Sequence, residues 1–160
     1  MKTVIAYESK NHRSVLKLVE AIKEKYGVTL IDVTETRSAN LTEYDLIGFA
    51  SEIEDNSFYR DISSFAANWM PREKKIFFIY TCGTDKPEYC EEIEGIAHFK
   101  NCSVAGKYCC MGQENIGGFK LFGNRNKTHP NEDEIDEALK FFAELTGEKP
   151  KDKKPEKDKK

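Results

Sequence analysis

The sequence predicts an α/β domain built on a parallel sheet, and three observations carry that expectation. Short apolar, β-branched runs recur at Val4–Tyr7, Val28–Val33, Leu46–Ala50, Ile76–Tyr80 and Val104–Tyr108. Segments of helical period separate them, and such alternation forces parallel pairing through right-handed crossovers. Finally, 160 residues with 39% hydrophobic content allow one sizeable core and no second.

After the first run, Ser9-Lys10-Asn11-His12-Arg13-Ser14 leads into a helix in which Val15, Leu18, Val19, Ile22 and Tyr26 form one apolar face, with Gly27 as its stop. In a parallel α/β protein this junction aims unpaired N–H groups at an anion, so residues 9–14 are the candidate phosphate site. Ser9 and Ser14 offer hydroxyls, Asn11 an amide, and the backbone of 11–14 further donors. Lys10, His12 and Arg13 add groups able to make charge-assisted bonds, although for Lys10 and Arg13 plain exposure is the favoured reading.

The third run is followed by Ser51-Glu52-Ile53-Glu54-Asp55-Asn56-Ser57-Phe58. The bland reading of this acidic stretch is a solvated turn with Asn56 or Ser57 capping a helix. That helix ends at Trp69-Met70-Pro71, where Trp69 is expected in the core. The fourth run passes into Thr81-Cys82-Gly83-Thr84, where Gly83 permits close backbone approach, and Tyr89 follows. The stretch 111–130, with Gly112, Gly117, Gly118 and Gly123, is longer than an ordinary connector. The last helix opens on Asn131 with Glu134 as a capping-box partner, places Ile135, Ala138, Leu139, Phe142 and Leu145 on one face, and has Gly147 beyond its end.

Five cysteines, at 82, 90, 102, 109 and 110, are an odd number with no two-residue spacing. Neither a disulfide framework nor a zinc site is indicated. Cys109 and Cys110 are strand neighbours whose side chains point to opposite faces; ordinary packing outweighs a redox pair. The formal charge of −3 conceals a Lys-rich end, residues 148–160, with seven Lys against four acids. That end lacks apolar residues other than proline and is expected to be a disordered tail, which sets the folded domain at 1–147. The acidic body argues against nucleic-acid binding. No run approaches ~18 apolar residues, so no membrane span is expected. The N-terminus lacks a signal-peptide core, which points to a cytoplasmic protein. Gly-x-Ser-x-Gly is absent, and His98 and His129 fall in surface or capping contexts, so a Ser-His-acid hydrolase is not indicated and no catalytic side chain is assigned.

Four segments together resemble the flavodoxin family: the 9–14 loop, the 51–58 stretch, Thr81-Cys82-Gly83-Thr84, and Gly106-Lys107-Tyr108-Cys109-Cys110-Met111-Gly112 with His129-Pro130-Asn131-Glu132. The resemblance spans residues 1 to about 147. It implies a doubly wound, three-layer domain with a five-stranded parallel sheet in the order 2-1-3-4-5. It also implies non-covalently bound FMN that moves electrons, as a carrier or as a small FMN-dependent reductase meeting redox partner proteins. The expected assembly is a monomer or weak dimer. Ser9, Lys10, Asn11, His12, Arg13 and Ser14 would hold the phosphate, and Ser51, Glu52, Ile53, Thr81, Cys82, Gly83, Thr84 and Tyr89 would flank the ring, with Phe58, Tyr59, Phe119 and Phe122 as alternative neighbours. The chain departs from the family where relatives have glycine: His12 or Arg13 stands in the phosphate loop, and Glu52 follows Ser51 where a Gly peptide turns toward the reduced ring. Those departures sustain a competing reading, an interaction module that has lost flavin and uses the same rim for a protein or an anionic ligand.

Overall fold

The computed structural model describes residues 1–10, 13–112 and 129–149. The elements run β1 (Thr3–Glu8), α1 (Ser14–Tyr26), β2 (Thr29–Asp32), β3 (Leu46–Glu54), β4 (Ser57–Phe58), α2 (Arg60–Trp69), β5 (Lys75–Cys82), a short 3₁₀ turn (Pro87–Cys90), α3 (Glu91–Phe99), β6 (Ser103–Met111) and α4 (Glu132–Thr146). The sheet order is β2-β1-β3-β5-β6, all parallel, with β4 hooked antiparallel onto the end of β3. Leaving β4 aside, this is the expected order 2-1-3-4-5. Among the described residues no helix is long and apolar enough to cross a membrane.

Strand alternation divides the core into two layers. Val4, Ala6, Ile47, Phe49, Ile76 and Phe78 face Ile62, Phe65 and Ala66 of α2 and Ile93 and Ala97 of α3. Ile5, Ala50, Phe77 and Ile79 face Val15, Leu18, Val19 and Ile22 of α1 and Ala138 and Phe142 of α4. Helix α1 ends where Gly27 enters the left-handed region at φ 73°, its N–H bonding to Lys23 O. At α4 the Asn131 side chain accepts from Glu134 N–H, the Glu134 carboxylate accepts from Asn131 N–H, and His129 Nδ1 lies 2.8 Å from the same carboxylate.

Three expectations shift in detail. β3 runs to Glu54 rather than ending at Ala50, because Ile53 and Glu54 pair with Phe58 and Ser57 of β4. The intervening Asp55 and Asn56 have φ of 51° and 60°, the left-handed pair of a type I′ hairpin. Neither Asn56 nor Ser57 therefore caps a helix; α2 starts after Tyr59 with no side-chain cap. Trp69 is 39% exposed and donates its Nε1–H to Arg37 O, so it borders the core rather than filling it.

Gly48, midway along β3, lies opposite Phe77. A β-carbon there would sit 2.4 Å from the Phe77 ring, which is wedged against Phe141 and Phe142. Gly48→Ala is expected to destabilise the domain by about 1–3 kcal/mol through overpacking, read as a lower urea midpoint at unchanged slope.

Candidate functional site

At the carboxyl edge the chain winds outward in both directions from β1 and β3, so the starts of α1 and α2 and the loops after β3 and β5 converge there. Between β1 and α1, a turn closes by Arg13 N–H to Lys10 O at 3.0 Å. Arg13 adopts φ 54°, ψ 35°. This left-handed conformation is one that glycine adopts without penalty.

The first helical N–H groups need acceptors, and the protein supplies one. Glu52, on the α1 side of β3, places Oε1 2.5 Å from the Ser9 hydroxyl and 3.3 Å from Val15 N, so both donate to it. Its carboxyl is pushed above the ordinary value by burial, with the Ser9 hydroxyl and the peptide N–H groups pulling the other way. Ser14 is buried beside Thr81 under Gly112, where an added β-carbon would meet Thr81 Oγ1 at 3.0 Å and Ser14 Oγ at 3.4 Å. Thr81 Oγ1 and Glu52 Oε2 are buried without hydrogen-bond partners. Asn11 and His12 lie outside the described residues.

A second carboxylate lies on the other face. Glu8 is fully buried, and neither oxygen makes a well-formed hydrogen bond. Lys10 Nζ is 3.4 Å from Oε1 and 4.3 Å from the centre of the Tyr59 ring. Burial raises the Glu8 carboxyl above its ordinary range, opposed by Lys10. Tyr59 is raised as well, by burial and then by Glu52, Glu54 and Glu8.

Beside these groups lies a cleft of about 360 Å³ lined by Ile53, Asp55, Asn56, Cys82, Gly83 and Tyr89. It has the 3₁₀ turn on one side and the β3–β4 hairpin on the other. A larger space of about 450 Å³ lies at the opposite edge, beside Met1, Gly27 and Thr29, away from the switch point.

Two groupings thus emerge from the expected residues: Ser9, Ser14, Glu52 and Thr81 around the start of α1, and Ile53, Cys82, Gly83 and Tyr89 around the cleft. Ser51 belongs to neither, because its buried hydroxyl donates to Glu52 O and accepts from Tyr59 N–H, tying β3 to α2. Thr84 is exposed outside the cleft lining. Glu52 was expected beside a ring, but it reaches toward the helix instead. Phe58 and Tyr59 are buried core residues, Phe58 packing edge-on against Phe78; Phe119 and Phe122 lie outside the described residues. Sequence reasoning missed Glu8 and Gly112. Glu8 was findable, since alternation from Val4 and Ala6 directs it inward.

No family profile matches the chain. It is 32% identical over 147 residues to the uncharacterized protein MJ0298 of Methanocaldococcus jannaschii, a match covering 91% of this chain and 98% of that protein. Among solved structures it is similar to a flavodoxin from the domain Archaea, at a TM-score of 0.58 and 14% identity over 92% of this chain and 97% of that one. It is also similar to a flavoprotein in complex with FMN from Lactobacillus acidophilus, at 0.52 and 18% over 68% and 92%. At such identities the structures share the fold.

FMN, which the fold implies, can be tested against these residues. The start of α1 already holds a carboxyl oxygen, and the orphaned Thr81 hydroxyl adds capacity, so the donor chemistry suits a phosphate, although Glu52 occupies the same donors.

Two measurements probe this edge. Arg13→Gly is expected to keep or raise stability by up to about 1 kcal/mol, while Arg13→Val should cost about 1–3 kcal/mol because a β-branched residue is strained at positive φ. Burial raises both Glu8 and Glu52 in the folded chain, so the native state holds more protons than the unfolded state once pH exceeds the ordinary carboxylate value of 4.5. Stability contributed by these groups is therefore full at low pH and falls as pH rises through the folded values. Denaturant midpoints should show Glu8→Gln losing less stability than the parent as pH rises above the ordinary carboxylate value.

Proposed function

From the premise that this chain belongs to one family with MJ0298 of Methanocaldococcus jannaschii and has the flavodoxin-like fold, we propose that it is an electron-transfer domain that binds FMN at the carboxyl edge of its sheet, in competition with its own Glu52. The observation that carries the reading is the carboxylate already seated on Ser9 Oγ and Val15 N–H. These donors, with the helix dipole behind them, are arranged for an anion.

When bound, FMN supplies the redox chemistry, accepting and releasing electrons. The protein's part is positioning and electrostatics. Ser9, Ser14, Thr81 and the first N–H groups of α1 take the phosphate once the Glu52 side chain turns away. Ile53 and the Asp55–Asn56 turn form one wall for the ring, and Gly83 and Tyr89 form the other. Glu54 and Asp55, at the tip of the hairpin, oppose the arrival of negative charge, a modest effect because they are exposed. Glu52 pairs with Thr81 across β3 and β5, so its peptide lacks the rotation open to a loop glycine.

Flavin titration by fluorescence quenching tests the reading. Glu52→Gln and Glu52→Gly should bind FMN at least about tenfold more tightly than the parent, since one charged competitor for two hydrogen bonds is removed. The advantage should widen as pH rises and Glu52 ionises in the parent. Preference for FMN over riboflavin should be clearest in these variants. If neither the parent nor the Glu52 variants bind flavin, the chain is instead an interaction module that uses the same rim without a cofactor.

A further inference from the structure

The inner face of β5 and β6 carries a grouping of side chains that begins at Cys82, in the lining of the cleft, and extends to Cys109 and Asp85. Cys82 Sγ and Cys109 Sγ lie 3.0 Å apart, and an Asp85 carboxylate oxygen lies within 4.8 Å of both. The Asp85 carboxylate is held from behind by the Tyr80 hydroxyl, which donates to Oδ1 at 2.8 Å. Tyr80 itself is buried. Two thiols, one carboxylate and an outer hydrogen bond that fixes the carboxylate are the parts of a site for a thiophilic cation.

We propose that Cys82, Cys109 and Asp85 bind a divalent, thiophilic metal ion of the Zn²⁺ class. The register decides between this and a disulfide. Cys109 pairs with Tyr80, so Cys82 lies two residues farther along the neighbouring strand. In regular parallel strands that diagonal places the α-carbons about 8 Å apart, beyond the ~7 Å that a disulfide spans without backbone movement. A metal spans more, because two Zn–S bonds of about 2.3 Å in tetrahedral geometry hold the sulfurs about 3.8 Å apart. Binding exchanges two thiol protons for the cation, giving two thiolates and one carboxylate around it with two protons released. Exposed Asp85 gives the ion a way in.

The inference does not rest on flavin binding, and its readouts need no flavin. Reduced, chelator-treated full-length chain is titrated with Co²⁺ and then back-titrated with Zn²⁺. The expected result is a near-ultraviolet thiolate-to-cobalt band in the parent, abolished by Zn²⁺ and absent from Cys82→Ser and Cys109→Ser. Asp85→Asn and Tyr80→Phe should weaken binding by about tenfold or more, whereas Cys102→Ser and Cys110→Ser should leave it unchanged. Should the serine variants fold poorly, alkylation of the unaltered chain serves instead: Zn²⁺ should slow labelling of Cys82 and Cys109 and not that of Cys102. Absence of the cobalt band, equal binding by parent and serine variants, or a Cys82–Cys109 disulfide that forms equally fast with and without Zn²⁺ would overturn the proposal.

Discussion

The unpaired N–H groups at the start of α1 are the constraint on which the carboxyl edge depends. A helix that begins at a switch point in a parallel sheet leaves these donors together, and something negative has to meet them. Here Glu52 meets them from the neighbouring strand. Its reach requires β3 to continue beyond the core, which the hairpin with β4 secures, and requires the chain ahead of α1 to turn sharply, which Arg13 achieves in a conformation that suits glycine better. The two departures from the glycine pattern therefore act on one feature: one residue supplies the anion and the other shapes the turn that receives it.

Glu8 and Glu52 approach opposite layers because of where they fall in the pleat. Glu8 shares the face of Val4 and Ala6 beneath α2, while Glu52 shares the face of Ala50 beneath α1. Each is raised chiefly by burial. An edge with two such groups resists further negative charge unless protons or cations accompany it. Lys10 answers part of this charge, its ammonium lying between the Glu8 carboxylate and the Tyr59 ring.

The architecture was legible in part because it rests on periodicity: the apolar face of α1, the Asn131–Glu134 box and the parallel pairing followed from local pattern and connection rules, whereas the strand order came from the resemblance to flavodoxins. The switch point could be located once that order was taken from the resemblance. What the side chains do there was not legible, since Glu52 could be placed after Ser51 but not given a direction until the length of β3 was known. The 51–58 stretch reads as a loop by composition, yet all of it but Asp55 and Asn56 is strand, because tertiary pairing overrides the weak propensity of Glu. The Cys82–Cys109 approach escaped for a different reason: its partners lie on separate strands, and sequence spacing does not report a diagonal across a sheet.

The pairing of Glu52 with Thr81 has a mechanical consequence. It carries the β3–β5 ladder up to the residues that border the cleft, so the hairpin and the 82–85 segment are anchored to one continuous stretch of sheet. Both borders of the cleft, the Asp55–Asn56 turn and the Cys82–Gly83 backbone, are thus rooted in paired strands of the same sheet, so its mouth is framed by backbone and not by side chains alone.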